Sequence, residues 1–356
     1  MEELSFKENK YNNILFERTY PDEAPGWINS IYNEREAKII NCDQQIGSIN
    51  FKFRYFKEDS DALNGDIATI GTFEYFEGNF IKIETKAINY NINLTITNPN
   101  SKTLELEIII NQLGSYIFKI ENNETKTISF KEYLTDRSLE LTFKNLNETD
   151  TYTNIIINKL SIVPLELEKN NKKTIYIASD STVQTYTSKY YPQAGWGQFL
   201  HYYLFENHNS IIKTDPNSSY SMSTIYDSNN LTIINKSIGG RSSKSFIKES
   251  KLHELVKTLS PNDLFLIQWG HNDASNNRPM RYVPVKKFIN YIKQYVYSAI
   301  DRGAIPILVT PVPRYSFKNE TEANISFNNY RTEILEYANK NSILCIDLGL
   351  LGSNYL

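Results

Sequence analysis

The sequence predicts two domains of different class. An antiparallel β-sandwich occupies 1–168, a linker 169–173, and a three-layer α/β domain with a parallel sheet 174–356. Three observations carry this. The first half shows period-2 alternation broken by turn residues, the pattern of half-buried strands. The second half alternates short apolar runs with segments of helical period, the pattern of β-α-β units. Between them Leu165 to Lys173 is polar and charged. A length of 356 residues fits two domains at roughly 100–200 residues each.

In chain order, the sandwich strands are read at Ile92 to Thr97, Leu104 to Ile108, Tyr116 to Ile120, Thr127 to Phe130 and Leu139 to Phe143. Asn98-Pro99-Asn100, Gly114-Ser115 and Glu121 to Glu124 supply turns. Beyond the linker, Thr174 to Ala178 reads as a buried strand and Ala194 to Tyr203 as a helix. Leu231 to Ile234 reads as a strand. Lys244 to Leu259 reads as one helix, with Phe246, Ile247, Leu252, Leu255 and Val256 as its apolar set. Strand Leu264 to Ile267, helix Val285 to Ile300, strand Ala304 to Thr310, helix Ser326 to Asn339 and strand Ile343 to Ile346 follow. Asn217 to Asn230 reads as a low-complexity patch.

Composition excludes several classes. Hydrophobic residues make up 40%, with 25 Tyr and 18 Phe, which excludes global disorder. A net charge of -3 gives no bulk attraction to nucleic acid or anionic membranes. The 2 cysteines, Cys42 and Cys345, exclude a disulfide framework and a Cys-rich zinc site. They read as ordinary core thiols. No apolar run reaches the ~18 residues of a membrane span. Met1 to Ser5 is acidic and no apolar stretch follows. The expected location is the cytoplasm, or outside the cell if the start lies upstream. His201, His208 and His253 read as surface or satisfied, partly buried groups, and no metal site is expected.

Three strand ends carry chemistry-bearing residues. Ser179-Asp180-Ser181-Thr182 places a hydroxyl at the sheet's carboxyl edge, or caps a helix. Gly239-Gly240-Arg241-Ser242-Ser243-Lys244-Ser245 is a tight turn with exposed N–H groups, or a plain strand-to-helix turn. It lacks the spacing of a complete phosphate loop. Gln268-Trp269-Gly270-His271-Asn272-Asp273 gathers an imidazole, an amide and a carboxylate, or is a polar turn with Asx hydrogen bonds.

Together, in this order, the three blocks resemble those of the S-G-N-H (G-D-S-L-like) hydrolases, within them the rhamnogalacturonan acetylesterase group. The family's G-D-S-T, G-R-S-[SA]-x-S and G-H-N-D match Ser179–Thr182, Gly240–Ser245 and Gly270–Asp273. Ala194-Gly195-Trp196-Gly197 and Pro311-Val312-Pro313-Arg314 resemble two further stretches of the family. The first block has Ser179 where the family has Gly, a mild departure at a small position. The resemblance implies a flavodoxin-like sheet and an O-acetylesterase acting on an acetylated polysaccharide or oligosaccharide of the pectic kind. It implies Ser181 as nucleophile, with the Ser181 N–H, the Gly240 N–H and the Asn272 amide as oxyanion donors. His271 and Asp273 then belong to the loop's scaffold. No cofactor, nucleic acid or membrane partner is implied, and oligomeric state is left open.

The family's base is the His of a C-terminal D-x-x-H, its ring oriented by the Asp. Neither is present in these 356 residues; Asp347 ends a strand with no His after it. The resemblance therefore implies a chain cut short before its base and closing helix, with impaired activity. The alternative is a degenerate, non-catalytic glycan binder; a phosphate binder is a third. The N-terminal module resembles galactose-binding-like or fibronectin-like modules. Its Tyr75, Phe76 and Tyr90 are candidates for stacking on sugars, against a packing role for each.

Overall fold

The computed structural model describes residues 85–111, 113–143, 145–146, 155–167, 169–170, 172–206, 210–320 and 322–356, and the backbone alone of strand residues 14–15, 36–38, 48–56, 73–78, 80–84, 144 and 153–154. The chain divides into two compact units, Met1–Leu165 and Glu166–Leu356.

The first unit is two packed sheets. One runs in the order β1 (Ile14–Leu15), β2 (Glu36–Lys38), β5 (Phe80–Glu84), β10 (Ser138–Asn145), β7 (Leu104–Ile110), β8 (Gly114–Ile120). The other runs β4 (Phe73–Gly78), β3 (Ser48–Phe56), β11 (Thr153–Pro164), β6 (Asn89–Thr97), β9 (Thr125–Tyr133). In β6, alternate residues from Ile92 to Ile96 are buried and those between are half-buried, as period 2 requires. Ile92, Leu94 and Ile96 meet Leu106, Ile108, Leu139 and Leu141 of the opposite sheet in one core. On the other face Thr95 and Thr97 bond to Thr127 and Thr125 across β6 and β9. One pair departs from the antiparallel expectation: β2 lies parallel to β5. The chain between them passes through β3 and β4 of the other sheet, the long crossover that parallel pairing needs. Tyr90 is buried in the core rather than presented to sugars. The side chains of Tyr75 and Phe76 lie outside the described residues, as do Cys42 and His208.

The second unit holds a seven-stranded sheet. Its order is β13 (Ile211–Thr214), β14 (Thr224–Asp227), β15 (Leu231–Asn235), β12 (Lys173–Ala178), β16 (Leu264–Gln268), β17 (Ile305–Val309), β20 (Leu344–Ile346). The five strands from β15 to β20 are parallel. β13 and β14 add antiparallel strands at one edge of this mostly parallel sheet, which has the expected fold class. Short connections join β13 to β14 and β14 to β15, and short connections pair strands antiparallel. β13 is only four residues long with no period-2 alternation, and β14 lies inside the patch read as low complexity. A two-stranded ribbon, β18 (Phe317–Asn319) with β19 (Glu322–Ala323), stands apart.

Six helices accompany the sheet among the described residues: α1 (Leu200–Leu204), α2 (Ser243–Lys248), α3 (Lys251–Val256), α4 (Val285–Ile300), α5 (Asn328–Lys340) and α6 (Leu348–Tyr355). On one face of the sheet Ile175, Ile177, Ile233 and Leu266 pack with Val183, Phe205, Trp196 and Leu200. On the other, Phe265 meets Tyr295 of α4, which also meets Phe246 and Trp269. Helix α4 buries Phe288, Ile292, Tyr295, Val296 and Ala299, one stripe at helical spacing.

Three helix readings change. The run from Lys244 to Leu259 is two helices, because Ser250 sits in the left-handed region at φ 59° and a right-handed helix cannot pass through it. Only Leu200–Leu204 of the run from Ala194 is α-helical. The stretch before it instead lies against Gln184 and Val183. A Cβ on Gly195 would stand 2.4 Å from the Gln184 carbonyl oxygen, and one on Gly197 2.5 Å from that of Val183. Helix α6, absent from the sequence reading, follows β20. Asp347 caps it, accepting from the Leu350 N–H at 3.3 Å.

From β12 the chain moves to β15 on one side and returns to β16 on the other. That reversal makes the carboxyl end of β12 a topological switch point, where open α/β sheets place their sites.

Candidate active site

The turn after β12 is built by Asp180. Its Oδ1 accepts from the Thr182 N–H at 2.9 Å and the Thr182 hydroxyl at 2.8 Å. Its carbonyl accepts from the N–H groups of Val183 and Gln184. Ser181 is lifted to the tip and is half-buried. Ser179 anchors the turn below, its hydroxyl donating to the Gln268 carbonyl at 2.7 Å. Its small size suits a wholly buried position.

The second loop leaves β15 through Asn235. This buried amide donates to the Val183 carbonyl at 2.8 Å and the Thr185 hydroxyl at 3.1 Å, and accepts from the Ser237 N–H at 3.1 Å. The loop is thereby tied to the Ser181 turn. A Cβ on Gly239 would lie 3.5 Å from the Ser181 Cβ, so these two backbones are near neighbours. Gly240 has φ +78°, a conformation that glycine adopts without steric penalty. The serines of this block have a structural use. Ser242 and Ser245 form a capping box at the start of α2: the Ser245 N–H donates to the Ser242 hydroxyl oxygen and the Ser242 N–H to that of Ser245.

The third loop follows β16. Asp273 is wholly buried. It accepts from the Ser243 N–H and hydroxyl and from the Gly270 N–H at 3.1 Å, so one carboxyl clamps the second and third loops together. Burial pushes its pKa up to about 7, against the pull of those donors and with help from the Asp180 charge. Asn272 points its Nδ2 at the Arg241 carbonyl, 2.8 Å away, and its Oδ1 accepts from Arg281 Nη1 at 3.0 Å. His271 is buried against Phe327, with its Nδ1 3.8 Å from Asp180 Oδ2. Burial holds its pKa below the usual histidine value.

Among the described residues, neither the Ser181 N–H nor the Gly240 N–H donates to a protein group. Asn272 Nδ2 uses one of its two hydrogens on Arg241. Three donors are thus unspent on three linked loops, the second of which packs its Gly239 against half-buried Ser181. Such an arrangement can receive the oxyanion of an acyl-transfer intermediate.

Sequence reasoning missed the cross-ties. Gln184 Oε1 accepts from the Gly239 N–H, and Gln268 joins the Trp196 indole N–H to the Thr182 hydroxyl. Asn235 and Gln268 each end an apolar strand, and that position was the signal available. Asp347, read as a strand-end residue, pairs with Arg331 and accepts from Thr310 at 3.0 Å. Burial would raise its pKa, but these partners hold it below the carboxylate norm. Burial lifts the Cys345 thiol to about 11, which keeps it unreactive. His201 is buried and stacks on Tyr226 at 4.5 Å. Among the described residues no three His, Cys, Asp or Glu side chains gather to hold a metal ion, and no helix is long and apolar enough to cross a membrane.

Residues 179–351 match the family described as GDSL-like Lipase/Acylhydrolase. Over 175 residues the chain is 38% identical to the probable rhamnogalacturonan acetylesterase YesY of Bacillus subtilis, covering 49% of this chain and 69% of that protein. The chain belongs to the GDSL-like lipase/acylhydrolase family. A second relative, the rhamnogalacturonan acetylesterase RhgT of Bacillus subtilis, is 27% identical over 174 residues, or 49% of this chain and 64% of that one. The crystal structure of Bacillus subtilis YxiM overlaps with a TM-score of 0.41 at 24% identity, covering 77% of this chain and 68% of that one. By descent this GDSL-like chain stands among carbohydrate esterases.

Proposed function

We propose that this chain binds an acetylated polysaccharide or oligosaccharide of the pectic kind and carries the acyl-transfer half of an O-acetylesterase. Ser181 Oγ attacks the acetyl carbonyl and gives its proton to water; the ester C–O bond breaks, the sugar leaves as its alcohol, and water then cleaves the acyl-serine to free acetate. The Ser181 N–H, the Gly240 N–H and Asn272 Nδ2 receive the oxyanion. The observation that carries this reading is the set of unspent donors on the three linked loops. The names of the relatives support the substrate class.

The reading includes low turnover by these 356 residues. None of their 4 histidines stands three positions after an aspartate. A Ser hydroxyl without a base is a weak nucleophile. In another serine hydrolase, loss of a triad member leaves roughly 10³–10⁴ over water. The same observation favours a second reading, a glycan binder without turnover.

Acetate release from acetylated rhamnogalacturonan, compared between the chain and Ser181→Ala, tests both. Slow release that vanishes in Ser181→Ala supports the esterase reading. Equal release from the two proteins overturns it. Rapid release that needs Ser181 overturns the low turnover. No release with retention on a glycan affinity gel leaves the binder.

A further inference from the structure

We propose that Arg281 is a positioning residue of the oxyanion pocket, acting through Asn272. The proposal rests on the reading of Asn272 as an oxyanion donor and adds what makes it one.

A side-chain amide has nearly the same shape when turned over, but its chemistry inverts. With Nδ2 toward the pocket, Asn272 stabilises an oxyanion. With Oδ1 there, it repels one. Two contacts decide the matter. The Arg241 carbonyl, 2.8 Å from Nδ2, can only accept. The Arg281 guanidinium, 3.0 Å from Oδ1, can only donate. Turning the amide over would set donor against donor and acceptor against acceptor. Arg241 contributes a backbone atom, so Arg281 is the side chain on which the choice depends. Its positive charge also draws electrons toward Oδ1, which strengthens the remaining N–H as a donor.

The location fits. Arg281 Nη1 lies 3.4 Å from where a Cβ on Gly240 would stand, so the cation borders the second proposed donor as well. The backbone around Arg281 is fixed without its side chain. The Arg281 and Tyr282 N–H groups donate to the Arg278 carbonyl, and the Val283 N–H donates to the Asp273 carbonyl at 2.9 Å. Changing the side chain should therefore leave the turn in place.

Two readouts on the full chain test this. By nuclear magnetic resonance, the Asn272 side-chain NH₂ pair is identified by its loss in Asn272→Ala. It should be a single sharp pair in the parent, doubled or broadened in Arg281→Met, and restored in Arg281→Lys. In hydrolysis of 4-nitrophenyl acetate, Arg281→Met should lower kcat about tenfold, part of the ~10²–10³ that a whole donor carries. KM should stay within about twofold, Arg281→Lys should recover most of the loss, and Arg281→Met should add nothing to Asn272→Ala. An unchanged NH₂ pair in Arg281→Met overturns the proposal whether or not the chain turns over, as does an equal kcat loss in the Asn272→Ala background. An altered pair in a chain that hydrolyses no ester counts against the esterase reading and leaves the orienting role of Arg281 standing.

Discussion

The two ends of the α/β sheet's parallel run treat side chains in opposite ways. At the carboxyl ends of β15, β12 and β16, polar groups are taken out of water and paired. Asn235, Asp273 and Gln268 are buried, and each bonds to at least two groups on neighbouring segments. At the other end, among the described residues β20 pairs with β17 alone, and its Leu344 and Ile346 are 59% and 42% exposed. Helix α6 beside it leaves Leu351 and Tyr355 exposed. Buried, fully used polar groups allow one arrangement and penalise the rest. Exposed apolar side chains specify little. The sheet is thus tightly specified at the ends of β15, β12 and β16 and loosely specified at β20.

The largest effect that would break this contrast is loss of the ion cluster behind the second loop. Lys236 Nζ lies 2.7 Å from Asp215 and 3.0 Å from Glu254, with its side chain only 4% exposed. Lys236→Met would leave buried Asp215 without its cation and facing the partly exposed Glu254. Removing one partner of a buried pair costs about 3–5 kcal/mol. Urea unfolding followed by the fluorescence of buried Trp269 should show that loss. A change below about 1 kcal/mol would mean that the cluster does not brace the loop.

Next comes a pH effect with a definite sign. Burial lifts the folded pKa of Asp273 to about 7, against 3.8 for an ordinary aspartate. The folded state holds its proton more tightly than the unfolded state. The stabilisation is complete below the unfolded pKa and is lost as pH rises through the folded one. Between pH 4 and 7 the loss is up to about 4 kcal/mol, at 1.36 kcal/mol per unit. Asp273→Asn cannot ionise. It should flatten the fall in urea midpoint over that range even though it weakens the clamp on Ser243 and Gly270. A slope equal to the parent's would locate the titration elsewhere. Smaller again is Gly240→Ala. At φ +78° an L-residue costs roughly 1–2 kcal/mol, and the new Cβ would lie 3.4 Å from Arg281 Nη1. Stability should fall by about that amount, as urea midpoints would report.

Much of the site was legible in the sequence because each block directly follows a strand. Ser181 comes three residues after the end of β12 and Asn272 four after β16. Apolar runs locate strands, and strand ends locate loops. The second helix block was half legible: its serines matched a family pattern, but their capping box is visible only in the structure. Two things were hidden for physical reasons. β13 and β14 are four residues each, too short for alternation to show, and β14 lies within Asn217 to Asn230. Arg281 lies nine residues beyond Asn272, on a turn folded back to Asp273. No periodicity encodes such a return. The break at Ser250 was also silent, since serine is not a residue whose presence announces a positive φ.

The smallest predicted effect tests the permissive side of the contrast. Leu344 lies on the outermost strand and is 59% exposed, so Leu344→Lys removes less than half a side chain of buried apolar area, and the lysine stem can cover part of it. A surface change away from caps, cavities and ion pairs is usually worth within about 0.5 kcal/mol. Lysine is also a residue that natural edge strands carry, because its charge opposes pairing with another chain. The urea midpoint should therefore stay put, and sedimentation should show equal or less self-association. A loss above roughly 2 kcal/mol would be the cost of charging a buried position. It would mean that this edge is covered in solution, and the sheet would then be as firmly specified at β20 as it is at β12.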